Sequence, residues 1–280
     1  MYSKMKVFRT LLAIPKMRLP RTKILITADL GQPSFDSRAG KFIEMLSHYG
    51  VPLTLFSPNE FENGEKRYSE LKKLIEFANE KEVVLEIGSH SIRHELLTDK
   101  NPFEIVSTIK ESLNSFRKAG ISVYGFRAPY LSIETSYRDI LGKVGNGEDI
   151  LKYDSSLSFE GTLRSSRMHD FFTRKCPHKI ANIWELPLSC LTDYALFDKL
   201  KRTDKFVCAY WKRKVDINIH NHNYFLFLIH PALIVNHFQV LNKFLAYCIQ
   251  KYSNASFTTC ISLVRELDQL DEKKKEKSYE

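Results

Sequence analysis

Short apolar runs alternate with stretches of helical periodicity along this 280-residue chain, and most of the runs stop at a cluster of polar residues. The first, Lys23-Ile-Leu-Ile-Thr-Ala28, ends at Asp29, Gly31 and Pro33 and reads as a buried strand followed by a loop. Asp36 is placed to cap a helix in which Ala39, Phe42, Ile43 and Leu46 share one face, with Gly50 just past its end. Val51–Phe56 is the next strand. A helix carrying Leu71, Leu74, Ile75 and Ala78 follows, then a strand Val83–Ile87 and a helix that opens at Asn101-Pro102 and stops at Gly120. Further strands are expected at Ser122–Phe126, Leu151–Ser155, Ile183–Leu186, Lys205–Cys208, Tyr224–Ile229 and Ser256–Thr258. Alternation of this kind is the mark of a parallel sheet layered with helices. The number of repeats, with no G-x-G-x-x-G after the first strand, favours a closed βα barrel over an open dinucleotide-binding sheet.

The length and a 43% hydrophobic content support one large domain with a single core. Net charge is +9, but much of the excess lies at the two ends, in Lys4–Lys23 and Lys273–Lys277. Without zinc-finger spacing, an aromatic RNP-like stripe or a basic heptad helix, no nucleic-acid partner is expected. The expected organisation is a basic N-terminal arm, 1–22, able to touch a membrane surface weakly; a folded domain, 23–268; and a charged, disordered tail, 269–280. The five cysteines are widely spaced without a C-x-x-C, so reduced, buried thiols are expected. Leu11–Ile14 is cut short by Pro15, too short for a signal peptide. No segment approaches the roughly 20 apolar residues of a spanning helix. Cytoplasmic residence is the resulting expectation.

In a βα barrel the working residues sit where strands end. Five polar clusters occupy such places: Thr27-Ala-Asp-Leu-Gly31, Gly88-Ser-His-Ser-Ile-Arg-His94, Phe126-Arg-Ala-Pro-Tyr130, Tyr153-Asp-Ser-Ser156 and Leu228-Ile-His-Pro231. His90 and His94 lie four apart, so on a helical turn both imidazoles leave one face and converge on one cation. Taken singly, each residue has a plainer reading. Asp29 is equally a loop or capping residue, Arg127 a plug at the barrel mouth, and His230 a core histidine.

Order and spacing make the set more specific. It resembles the five motifs of the polysaccharide deacetylase domain (NodB homology, carbohydrate esterase family 4), which read roughly TFDDG, H-S/T-x-x-H, R-x-P-Y, a DSS-containing strand and L-x-x-H-P. Gly88–His94, Gly125-Phe-Arg-Ala-Pro-Tyr130 and Lys152-Tyr-Asp-Ser-Ser-Leu157 match closely, Trp184-Glu-Leu-Pro187 resembles the segment before the last motif, and the likeness runs from about Lys23 to Leu267. The resemblance implies a distorted (β/α) barrel of the NodB / glycoside hydrolase-deacetylase type, with about seven parallel strands. It also implies a hydrolase that removes an N-acetyl group from an amino sugar or glycan, with a divalent metal, usually zinc, on two histidines and an aspartate. Carried over, His90 and His94 are metal ligands, Asp29 is the general base and Arg127 keeps that base ionised and oriented. His230 is the general acid, the Tyr130 backbone N–H binds the oxyanion, and Asp154 and Pro129 support the site.

The match departs in three places. Leu30 stands where the resemblance places the metal-binding aspartate. Either Asp29 itself ligates, or Asp36 swings in, or the protein works without a tightly held metal; a fourth reading is a catalytically silent carbohydrate-binding protein. The segment Leu141–Ile150, with Gly142, Gly145, Asn146 and Gly147, lengthens the loop between the third and fourth motifs. Phe227 stands where a leucine often lines the acetyl-methyl pocket, and its bulk would reshape acyl preference. Tyr130, Tyr153 and Trp184 offer rings near the motifs, with core packing the expected role of Trp184.

Overall fold

The computed structural model describes residues 19–31, 37–61, 63–132, 144, 151–158, 176–180 and 182–276. Asp36, most of the basic arm and the glycines at 142, 145 and 147 lie outside them.

Among the described residues nine strands form one sheet: β1 (Lys23–Asp29), β2 (Leu53–Ser57), β3 (Leu85–Ser89), β4 (Gly125–Phe126), β5 (Tyr153–Asp154), β6 (His178–Ile180), β7 (Ile183–Glu185), β8 (Tyr224–Ile229) and β9 (Ser256–Phe257). Their order is β6-β7-β5-β4-β3-β2-β1-β8, with β9 beside β1. All pairings are parallel except β6 with β7. The main helices are α1 (Ser37–Ser47), α2 (Tyr68–Glu80), α3 (Pro102–Lys118), α4 (Asp204–His222), α5 (Phe238–Lys251) and α6 (Cys260–Glu276). A capping box at Asn101 and Glu104, with Pro102 in the first turn, starts α3 where the sequence predicts.

The pleat of the strands decides what faces the site, because side chains alternate between faces with period two. On β1, Ile24, Ile26, Ala28 and Leu30 join the core under helices α1, α2, α4 and α5, while Leu25 belongs to the opposite face. On β8, Phe225, Phe227 and Ile229 face the helices, and Tyr224, Leu226 and Leu228 face inward. Continuing that inward parity past the strand ends brings Asp29 and His230 to the same side. Gly88 and Gly125 lie on this face because it has no room there: a Cβ on Gly88 would come 2.5 Å from the Phe56 ring, and one on Gly125 1.9 Å from the Tyr153 ring. Each large side chain buried in these layers contributes about 1.5–3 kcal/mol.

Four expectations are corrected. The barrel is curled rather than closed: among the described residues no ladder joins β7 to β8. Instead the Ser189 N–H bonds the Leu226 carbonyl at 3.0 Å, the Leu226 N–H bonds Ser189 Oγ at 3.0 Å, and Tyr224 OH donates to the Pro187 carbonyl at 2.9 Å. Pro187, which has no N–H, interrupts pairing there. The strand expected at Lys205–Cys208 is the start of α4, which Thr203 caps through its side chain and whose buried Val207, Trp211 and Val215 recur at helical spacing. The expected disordered tail is helical as far as Glu276. Lys179 anchors that helix through Asp271 at 2.7 Å, and Trp184 Nε1 donates to Asp268 at 2.8 Å. One stretch, Pro231–Lys251, does reach the length and mean hydropathy (1.2) of a spanning helix. Its Val240, Leu241, Phe244, Leu245 and Cys248 are buried in the protein core. The five cysteines are free thiols, as expected.

Candidate active site

The C-terminal ends of β1, β3, β4 and β8 bring Asp29, His90, His94, Arg127 and His230 into one electrostatically coupled group. Arg127 is fully buried and holds its centre. Its Nη1 donates to Asp29 Oδ1 at 2.8 Å and Thr27 Oγ1 at 3.0 Å, its Nε to the Ser155 carbonyl at 2.9 Å and its Nη2 to Ser155 Oγ at 2.8 Å, while the guanidinium lies 4.1 Å over the Phe56 ring. Burial alone would push the Asp29 carboxyl up, but Arg127, helped by His90 and His230, reverses this and holds it below its ordinary value. Asp29 is therefore ionised at neutral pH.

His90 is buried and its Nδ1 donates to the Arg127 carbonyl at 2.8 Å, the tautomer its partner demands. Its Nε2 then presents a lone pair to Asp29 Oδ2 across 3.7 Å. The two histidines do not share a helical turn. Ser91 and His94 are left-handed (φ 69° and 62°), and this turn, held by Asn59 and Glu60 backbone N–H groups on the Ser91 and Ile92 carbonyls, sets the rings 4.8 Å apart, edge to face. Such backbone is uncommon for residues other than glycine and concentrates at functional sites. Burial lowers the pKa of His90, and burial with the nearby His90 takes His94 to about 4, so both rings are neutral.

Tyr130, with φ 58°, lays its 56% exposed ring 4.7 Å from that of His94. Asp154 acts at one remove: it accepts from Ser156 Oγ at 2.6 Å, which in turn accepts the Ala128 N–H at 2.9 Å, fixing the backbone between Arg127 and Pro129. Phe227 does not line the site; its ring is buried on the helix side, 4.6 Å from Trp211. Tyr153 and Trp184 are buried as well.

Asp193 was missed in the sequence. Fully buried, it accepts from the His230 backbone N–H at 2.8 Å and pairs with His230 Nδ1 at 2.7 Å. Burial disfavours the charged imidazole, but Asp193 overrides it and raises the His230 pKa. The two residues are 37 apart, so no local spacing betrays the pair. The usable signal was the need of a general acid histidine for an orienting carboxylate.

A curled parallel sheet with its polar residues at the strand C-termini is the NodB-type deacetylase fold. A polysaccharide deacetylase-type protein from Mycobacterium smegmatis shares it at a TM-score of 0.70 and 17% identity, over 92% of this chain and 95% of that one. The chitin deacetylase of Colletotrichum lindemuthianum does so at 0.56 and 15%, over 86% and 87%. A carbohydrate esterase family 4 pseudoenzyme from Bacillus anthracis does so at 0.52 and 14%, over 88% and 66%. No curated protein matches. Residues 16–147, just under half of the chain, match the family model described as polysaccharide deacetylase.

That family implies a divalent metal, and the donor set here falls short of one. Leu30 is 5% exposed and packed among the residues facing the helices, its N–H bonded to the Phe56 carbonyl at 2.9 Å. Asp29 Oδ1 is committed to Arg127. Among the described residues no group of three His, Cys, Asp or Glu side chains gathers to hold an ion, whereas a catalytic zinc takes three protein ligands.

Proposed function

We propose that this domain hydrolyses the N-acetyl group of an amino sugar, free or within a glycan. The reading rests on opposite protonation biases in one site: Arg127 holds the Asp29 pKa down while Asp193 raises that of His230, 2.7 Å from it. An ionised carboxylate and an imidazole biased toward its protonated form are the starting states that a general base and a general acid need. A water bridging Asp29 Oδ2 and His90 Nε2 would be the nucleophile. Asp29 takes its proton as the oxygen attacks the acyl carbon, and the Tyr130 N–H faces the resulting oxyanion. His230 then protonates the nitrogen, the C–N bond breaks, and acetate and a free amine leave. The test is acetate release from N-acetylated sugars by the parent chain and by His230→Ala, which should lose at least 100-fold in turnover if the imidazole is the acid; equal rates would refute that role.

Leu30 favours a second reading, a silent glycan binder of the same fold. It predicts sugar binding with no acetate from any substrate.

A further inference from the structure

We propose that the sugar taken by this site carries a phosphate or diphosphate on its anomeric carbon, recognised by a cationic rim beside His230. The inference rests on the deacetylase reading above and names its substrate class. Asp193, the partner of His230, caps the π-helical turn Tyr194–Lys199. The Tyr194 ring, 43% exposed, lies 6.0 Å from the His230 ring, and the Lys199 ammonium lies 5.0 Å from the centre of that same tyrosine. Beyond it every residue from Lys201 to Phe206 is exposed, and Lys201, Arg202 and Lys205 add three cations. Lys201 is left-handed at φ 46°, with its side chain 75% exposed. Among the described residues two carboxylates pair with groups of this run or lie within it. Asp198 is shared between Lys201 at 3.2 Å and Lys199 at 3.9 Å, and Asp204 pairs with His237 at 2.8 Å. Among the described residues the rim thus gathers four cations and these two acids.

In a 2-acetamido sugar the acylated nitrogen and an anomeric phosphate sit on adjacent ring carbons. With the acyl carbon beside His230 and the sugar face on Tyr194, the phosphate falls toward Lys199, and a second phosphate toward the Lys201–Lys205 run. Tyrosine suits the apolar sugar face, and Lys with Arg suit phosphate oxygens. A neutral polymer brings no negative charge to this rim.

The experiment is titration calorimetry of the full chain, with Asp29→Asn to stop turnover. Three ligands are compared: UDP-N-acetylglucosamine, a polyprenyl-diphosphate N-acetylglucosamine in neutral-lipid vesicles, and the uncharged N-acetylglucosamine tetramer. At low salt at least one diphosphate ligand should bind about tenfold tighter than the tetramer, and the preference should shrink to about twofold in 1 M salt. Nucleotide-only or vesicle-only preference identifies the soluble or the lipid-borne source; either supports the proposal. Lys199→Ala, Lys201→Ala, Arg202→Ala and Lys205→Ala together should collapse the preference. If that variant melts early, Lys201→Glu alone should cut it about threefold. Equal affinity for the neutral tetramer, or a preference that survives the substitutions, would overturn the proposal. Acetate released by the parent from the tetramer without any preference leaves the deacetylase reading intact and sinks this one. A preference without acetate from any ligand does the reverse.

Discussion

Asp29 and Leu30 are neighbours in the chain and arrive on opposite faces of the sheet. Asp29 meets Arg127, Thr27 and His90, while Leu30 disappears among the residues under the helices. The same contrast divides the site. On its acid–base side each titratable group has a fully buried partner, Arg127 for Asp29 and Asp193 for His230. On its imidazole side His90 and His94 stand close together but gather no third ligand among the described residues. The site thus pairs both of its candidate proton-transfer groups and leaves its two candidate metal-ligating histidines without a third donor among the described residues.

The sharpest way to break this comparison is to remove the residue that joins the two sides. Arg127→Met should cost about 3–5 kcal/mol, because it strands a buried carboxylate and leaves Ser155 and Thr27 oxygens without their donor; urea denaturation measures it. Loss of less than about 1 kcal/mol would mean that Asp29 finds another partner. Next, Leu30→Asp should place a carboxyl on the helix-facing side, away from His90 and His94. The variant should be about 2–3 kcal/mol less stable without metal, since a carboxyl replaces a packed leucine. Zinc should raise the melting temperature of neither this variant nor the parent, and a rise in the variant alone would show that position 30 reaches the two imidazoles. A parent that already binds one zinc per chain would contradict the account of the donor set.

A smaller effect sharpens the acid side. As the proposed acid His230 acts in its protonated form, and Asp193 raises its pKa, so turnover should fall as pH climbs through that raised value. Asp193→Asn removes the charge that does the raising. The alkaline limb of the pH–rate profile should then move to lower pH. An unmoved limb would assign it to another group.

Much of this was legible in the sequence where one face is strictly apolar. β1 and β8 fall where their β-branched and aromatic runs predict, and period two already carries Asp29 and His230 to the inward side. The errors came where local pattern competes with distant contacts. Lys205–Cys208 reads as a strand only if Thr203 is overlooked as a cap. The charged end of the chain reads as disordered because its anchors, Lys179 and Trp184, are some ninety residues away. His90 and His94 were found by spacing, but their left-handed turn was not, since nothing in Ser91 or His94 as residue types demands positive φ. Asp193 was invisible for the reason that makes it effective: its partner comes from another strand end.

The most direct test of the central claim is acetate release from a panel of N-acetylated sugars by the parent chain and by Asp29→Asn, with the fold of both checked by thermal melting. The account predicts acetate from the parent and a loss of at least 100-fold in a variant that still folds. Acetate from neither would leave only a sugar-binding protein, and equal release by both would contradict the role of Asp29.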